Sequence, residues 1–178
     1  MTEQNDPTQT LETTQQNDPT QTLEAITLRE MFQGPVLLVT YEGIKKVNIT
    51  EIEKYEIHTS TGSFHKVDVL FSLMPESAEK LENALRINKE VEEQKLRTDK
   101  DPHKRPKIIG KRPMRKLAQK NVKVTLRNGH ILYGIPIEYN EYNFTMNVNN
   151  QMVLVYRHAV YQFEIVNTQN KESTATEK

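Results

Sequence analysis

Tyr156, Arg157 and His158 stand together in the run LVYRHAVYQF at residues 154–163, whose other members are mostly apolar or aromatic. A guanidinium is a planar fork of donors that suits phosphate. An imidazole can donate to a base oxygen or a ribose hydroxyl. An exposed aromatic ring gives a base a stacking face, worth ~1–3 kcal/mol per base in single-strand binders. A cation is costly to bury without a partner, so the run raises the question of what these groups face. Tyr142, preceded by Asn140 and Glu141, is a second aromatic beside polar neighbours. Two plainer roles stay open: Tyr142 as a core residue, and His158 as the cap of a neighbouring strand end.

Charge along the chain points the same way. The 178 residues carry 24 acidic and 24 basic side chains, for a net charge of zero. The distribution is uneven. Residues 102–137 hold ten lysines and arginines and no acid. Arg112, Arg115, Lys116 and Lys120 lie in this stretch, on what reads as a short basic helix (RPMRKLAQ, 112–119) and just after it. So lopsided a segment in a neutral protein favours phosphate binding. Residues 1–24 are the reverse, with five acids and no base, and QNDPTQTLE occurs at 4–12 and again at 16–24. Two copies of so short a polar unit do not build a solenoid, and the reading is a disordered tail.

Other chemistries are poorly supported. The chain has no cysteine, which removes disulfides, thiol catalysis and cysteine-ligated zinc. No phosphate loop, HExxH or GxSxG motif occurs, so no enzyme is expected. His58 and His65 lie seven apart with no acidic partner at ligand spacing, so no metal and no cofactor is expected. The first residues lack a basic and apolar leader pattern, and no apolar run approaches the 18 residues of a membrane span. The expectation is a cytoplasmic protein that does not enter a membrane.

These groups must be held by short strands. VLLVTY (36–41), IKKVNITEI (44–52), KYEIHTS and FHKVDVLFSL (64–73) read as strands with tight turns, after a short helix opened by the Thr27/Glu30 capping pair. VKVTLR (122–127) alternates, with Val122, Val124 and Leu126 inward. Asn128-Gly129 predicts a hairpin. Gly134, inside HILYGIPIEY, marks a bend or bulge. QMVLVYRHAVYQFEIV is long enough to bend into two strands. Between the strand sets, residues 76–101 predict one largely exposed charged helix, with pairs such as Glu76–Lys80, Glu82–Arg86 and Glu93–Arg97. Its thin apolar stripe is Leu81, Leu85 and Val91.

Read together, LRNGHILYG, EYNEYNF and VYRHAV resemble the Hfq family of bacterial Sm-like RNA chaperones over residues 112–166. The family shows Asn-Gly after its first strand, a glycine in its bent second strand and a Tyr-Lys-His-Ala-Ile step. Here these are Asn128-Gly129, Gly134 and Tyr156-Arg157-His158-Ala159-Val160. Residues 25–74 resemble a degenerate second copy, with Gly43 as turn glycine, Val47 or Asn48 at the bend and no Tyr-Lys-His triplet.

The resemblance implies a mainly β protein of two Sm-like bent five-stranded barrels, each with a short N-terminal helix. The implied division is a tail at 1–24, a degenerate domain at 25–75, a charged helical and basic linker at 76–111, the second domain at 112–167 and a tail at 168–178. It implies a ring, a trimer of tandem chains or a hexamer. Tyr156, Arg157, His158, Tyr142 and Glu141 would face a pore that takes single-stranded U-rich RNA, and Arg112, Arg115, Lys116 and Lys120 would form an RNA-annealing rim. Glu141 replaces the family's glutamine and Asn140 its aspartate, which weakens the uridine preference. The opposite, A-binding face would use Gly129, Leu132 and Tyr133, with Thr125 in an aromatic's place. The implied role is an RNA chaperone or post-transcriptional regulator. The rival is a protein-interaction scaffold with little RNA binding, acting through protein partners.

Overall fold

The computed structural model describes residues 33–82, 84–105, 117 and 119–166. The two tails, the helix expected from Thr27 and most of the basic helix expected at 112–119 lie outside those residues. So do Arg112, Arg115 and Lys116.

The first strand set is β1 (Val36–Thr40), β2 (Gly43–Val47), β3 (Ile49–Ile52), β4 (Glu56–Thr59), β5 (Gly62–His65), a one-turn 3-10 helix (Lys66–Asp68) and β6 (Val69–Leu73). A middle segment carries α1 (Pro75–Glu82), β7 (Arg86–Ile87), α2 (Lys89–Glu93) and a 3-10 turn (Pro102–Lys104). The second set is β8 (Val122–Leu126), β9 (His130–Tyr139), β10 (Asn143–Val148), β11 (Gln151–Tyr156), another 3-10 turn (Arg157–Ala159) and β12 (Val160–Ile165). The protein is mainly β. One antiparallel sheet runs β12-β8-β9-β10-β11-β6-β1-β2, with β7 added at β9, and β3-β4-β5 forms a separate three-stranded sheet. Neither sheet closes on itself.

Local chemistry accounts for the strands of the second set. In β8, Val122, Val124 and Leu126 are fully buried, as the alternation requires, but Thr125, which the alternation places outward, is buried as well. The turn after it places Gly129 at φ +87, where an L side chain is strained. The same glycine lies under α2, where a Cβ would stand 2.8 Å from the Asn88 carbonyl and 2.9 Å from Glu92 Cβ. Asn149 and Asn150, both at positive φ, turn β10 into β11. At Gly134 strand β9 changes partners. Up to this residue it pairs with β8, ending at Val122↔Gly134, and from Ile135 it pairs with β10.

The two sets join through backbone. β11 pairs antiparallel with β6, in the register Val153↔Leu73, Leu154↔Ser72 and Val155↔Phe71. All six residues are buried, and one hydrophobic cluster spans both sets. Strand β6 has a neighbour on each side, β1 and β11, and all five of its residues are buried, so both of its faces are covered.

Three sequence expectations are corrected. Residues 44–52 are not one strand: the chain breaks at Asn48, with β2 paired to β1 and β3 to β4. Residues 64–73 are broken by the 3-10 turn, which moves the chain from the small sheet to the large one. The single helix over 76–101 is absent. The chain leaves α1 to pair Arg86 with Ile131 and Ile87 with His130, and the Asn88 N–H donates to the Gly129 carbonyl at 2.8 Å. Asn88 then caps α2, its Oδ1 accepting from the Val91 N–H at 3.2 Å. Lys95 at φ 48 ends it. Leu81 and Val91 are buried, so this segment packs on the sheets instead of projecting. Hydrophobic contact with the sheets outweighs the weak i,i+4 pairs that would have favoured one helix.

Candidate nucleic-acid interface

The 3-10 turn between β11 and β12 presents Arg157, His158 and Ala159 where the two strand sets meet. Arg157 is 4% exposed. Its Nη1 donates to the carbonyls of Asn140 at 2.9 Å and Glu141 at 3.0 Å. Burial lowers its pKa, and the Glu141 carboxylate acts in the opposite sense. His158 Nε2 donates across the seam to the Val69 carbonyl at 2.9 Å, at the head of β6. Burial pushes the His158 pKa down to about 4; the Val69 hydrogen bond raises it, and Arg105 and Arg127 lower it further. The ring is therefore neutral at pH 7. Its own carbonyl accepts from Thr98 Oγ1 and from Arg127 Nε, each at 3.0 Å. Thr98 Oγ1 also shares a 3.2 Å hydrogen bond with the Tyr41 hydroxyl, so the segment after α2 straps the seam.

Neither group stands unpartnered toward a ligand, as the sequence had suggested. Arg157 holds the Asn140–Glu141 turn, and His158 takes the plainer role of capping a neighbouring strand. Tyr156 is 2% exposed and lies 5.6 Å from the His158 ring, centroid to centroid. Tyr142 goes the other way: it is 62% exposed and is not core. Asn140 Oδ1 fixes its backbone by accepting from the N–H groups of Tyr142 at 2.7 Å and Asn143 at 2.8 Å. Glu141 is exposed on the same turn. The five expected pore-side residues are thus neighbours, but only Tyr142 and Glu141 offer exposed side chains. Lys120 is exposed near the start of β8. On the other expected face, Thr125 and Leu132 are buried, and Tyr133 lies under the Arg86 guanidinium at 5.9 Å.

Arg157→Ala leaves the Asn140 and Glu141 carbonyls without their donor. The expected cost is about 2–3 kcal/mol of stability, read as a lower urea midpoint. An unchanged midpoint would show that the guanidinium does not hold this turn. Loss of RNA binding in that variant would be uninformative without this control.

The first strand set repeats the same backbone device, which the sequence did not reveal. The Lys66 N–H donates to the Tyr55 carbonyl at 2.8 Å, as Arg157 does to Tyr142 at 2.9 Å. Glu53 donates to Glu56 and Asn140 to Asn143, both at 2.9 Å. Tyr41 donates to Asp68, and Arg127 to Ala159. Tyr55 therefore occupies the place of Tyr142, and His65-Lys66-Val67 the place of Tyr156-Arg157-His158. Tyr55 is 49% exposed, with Lys54 Nζ 5.1 Å above its ring and the His65 ring nearly parallel at 6.4 Å. The signal available was the similarity of EKYE (53–56) to NEYN (140–143), which is too short to stand out. Comparison with protein-family models, curated proteins and solved structures found no match to this chain.

Proposed function

We propose that this chain is a tandem Sm-like RNA-binding protein, acting as an RNA chaperone or post-transcriptional regulator on single-stranded RNA. The observation that carries the reading is the repeated unit. β12-β8-β9-β10-β11 is a five-stranded order in which the last strand pairs with the first, and the same hydrogen bonds recur around the 3-10 turn of the first set. Two barrels would then occupy residues 25–75 and 112–167, with the β11–β6 seam as the contact between adjacent units.

Among the described strands β2, β3, β5, β7 and β12 are each paired on one side only, and β5 and β12 are the two that correspond in place to β11 and β6. Unpaired edges attract further strands. Repeating the β11–β6 register between chains would set Gln162 opposite Phe64 and close a ring of three chains. Light scattering would then give three times the 20.7 kDa chain mass. A monomer at all concentrations would exclude the ring. In this reading the exposed rings of Tyr142 and Tyr55 supply base-stacking faces, with Lys54 and Lys120 for phosphate.

Fluorescence anisotropy with U-rich and A-rich hexamers tests the RNA reading. Binding should fall with salt, with a log–log slope of about −0.7 per phosphate neutralised. Tyr142→Ala should weaken it roughly tenfold or more without moving the urea midpoint. No binding at ~50 mM salt would reject RNA as the ligand. A second reading, the protein-interaction scaffold, is favoured by one observation: Arg157 and His158 are both occupied within the chain.

A further inference from the structure

The three-stranded sheet brings together a cluster that the chain order hides. Glu51 on β3 is the cross-strand partner of His58 on β4, and His58 is the cross-strand partner of Ser63 on β5. Side chains of directly opposed residues share one face of a sheet. The turn between β3 and β4 adds Glu53. One donor atom each from Glu51, Glu53 and His58 lies within 4.8 Å of the others. His58 Nε2 is 3.1 Å from Glu53 Oε1 and 3.9 Å from Glu56 Oε2. On the other side of the ring, His58 Nδ1 is 2.7 Å from Ser63 Oγ.

We propose that Glu51, Glu53 and His58 form a binding site for one divalent ion of the zinc class, with Glu56 at its border. The imidazole is held from behind. An Nδ1–H donated to Ser63 leaves the Nε2 lone pair facing the carboxylates, the arrangement in which ligand histidines are oriented by a hydrogen bond on the far nitrogen. Nε2 itself is enclosed by its neighbours and has no hydrogen-bond partner. A lone pair against carboxylate oxygens is repulsive, and a cation between them reverses the sign. The spacing also fits. Ligands about 2.0–2.2 Å from zinc stand about 3.3–3.6 Å from one another in a tetrahedron, slightly more than the 3.1 Å between Nε2 and Glu53 and within the 4.8 Å that bounds the three atoms. One imidazole and two carboxylates suit zinc better than calcium or magnesium, which take oxygen ligands.

The site has a structural use. Of the twelve residues in β3, β4 and β5, only Ile57 is buried. So small a sheet with so little core is marginal by itself. An ion bound by β3 and the turn, and by a histidine anchored to β5, would clip all three strands together. This inference stands without the RNA reading.

Isothermal titration of the full chain with Zn²⁺ at about pH 7.5 in a non-chelating buffer tests it. Saturable binding of one ion is expected, with His58→Ala and Glu53→Gln each weakening it at least ~10-fold. Ser63→Ala should weaken it by ~10-fold through the ring's orientation alone, whereas His103→Ala, on an exposed residue elsewhere, should leave it unchanged. Should His58→Ala fail to fold by circular dichroism, Glu51→Gln and Glu53→Gln carry the test. No saturable binding up to millimolar zinc, or binding indifferent to these glutamates, would overturn the site.

Discussion

The protein should lose about 3 kcal/mol of stability between pH 7 and pH 4, and His158 should account for most of that loss. Its folded pKa of about 4 lies below the unfolded histidine value of 6.5. In that window the unfolded chain binds a proton that the folded chain refuses. Stability is therefore complete above about pH 6.5 and declines as pH falls toward 4. The interval is about 2.5 pH units, at ~1.4 kcal/mol each. The cause is burial: a charged ring would sit at a desolvated seam beside Arg105 and Arg127, with Asp68 as the acid that opposes them. His130 is also pushed down by burial, with Glu92 acting against the shift, and it adds in the same direction. The diagnostic is thus a difference. Urea midpoints measured from pH 7.5 to 4 should fall steeply in the parent and much less in His158→Gln, which lacks a group that titrates there. Parallel curves for the two proteins would refute the assignment. Because His158 bonds Val69, amide exchange in β6 and β11 should quicken first as the pH drops.

Gly134→Ala should be more damaging than any surface change. A Cβ at this position would stand 2.0 Å from the Asn147 carbonyl oxygen and 2.9 Å from its carbon. Both are backbone atoms of β10 and cannot swing aside as a flexible side chain would. Strand β9 must separate from β10 just where it changes partners, and Met146 Cε, at 3.2 Å, must also give way. The expected cost is about 3 kcal/mol or more, at the upper end of overpacking effects. Gly34→Ala is the control. Nothing lies within 4 Å of its added Cβ, and a shift within about 0.5 kcal/mol is expected. A Gly134→Ala protein with a midpoint near the parent's would mean that β9 and β10 do not approach this closely. The first strand set explains why the requirement is local. Val47 faces Val36 as Gly134 faces Val122. Yet it carries a full side chain, because β2 ends there and the chain passes into another sheet.

Much of the second strand set was legible in the sequence. The alternation of VKVTL, the Asn-Gly turn, the glycine in β9 and the paired asparagines each act over two to six residues. Local sterics and one-sided burial decide such features, and those are written in consecutive residues. The charged stretch at 76–101 was misread for the converse reason. Its helical pattern is real but weak, and the pairing of Arg86 and Ile87 with β9 comes from residues more than forty positions away.

The site divides along the same line. That Tyr142, Arg157 and His158 belong to one neighbourhood followed from residue types and from the family resemblance. What each side chain does depended on tertiary contacts. His158 faces Val69 and Arg157 faces two carbonyls because β11 lies beside β6, and nothing in LVYRHAVYQF specifies that neighbour. Glu51, Glu53 and His58 converge for the same reason, since strand register places side by side residues that sequence separation keeps apart. The amino-acid sequence by itself determined the strands and turns of the second set and the sign of the charge along the chain, all short-range properties. The tertiary structure decided which polar groups are satisfied and which remain available, because burial and partnership depend on the whole sheet.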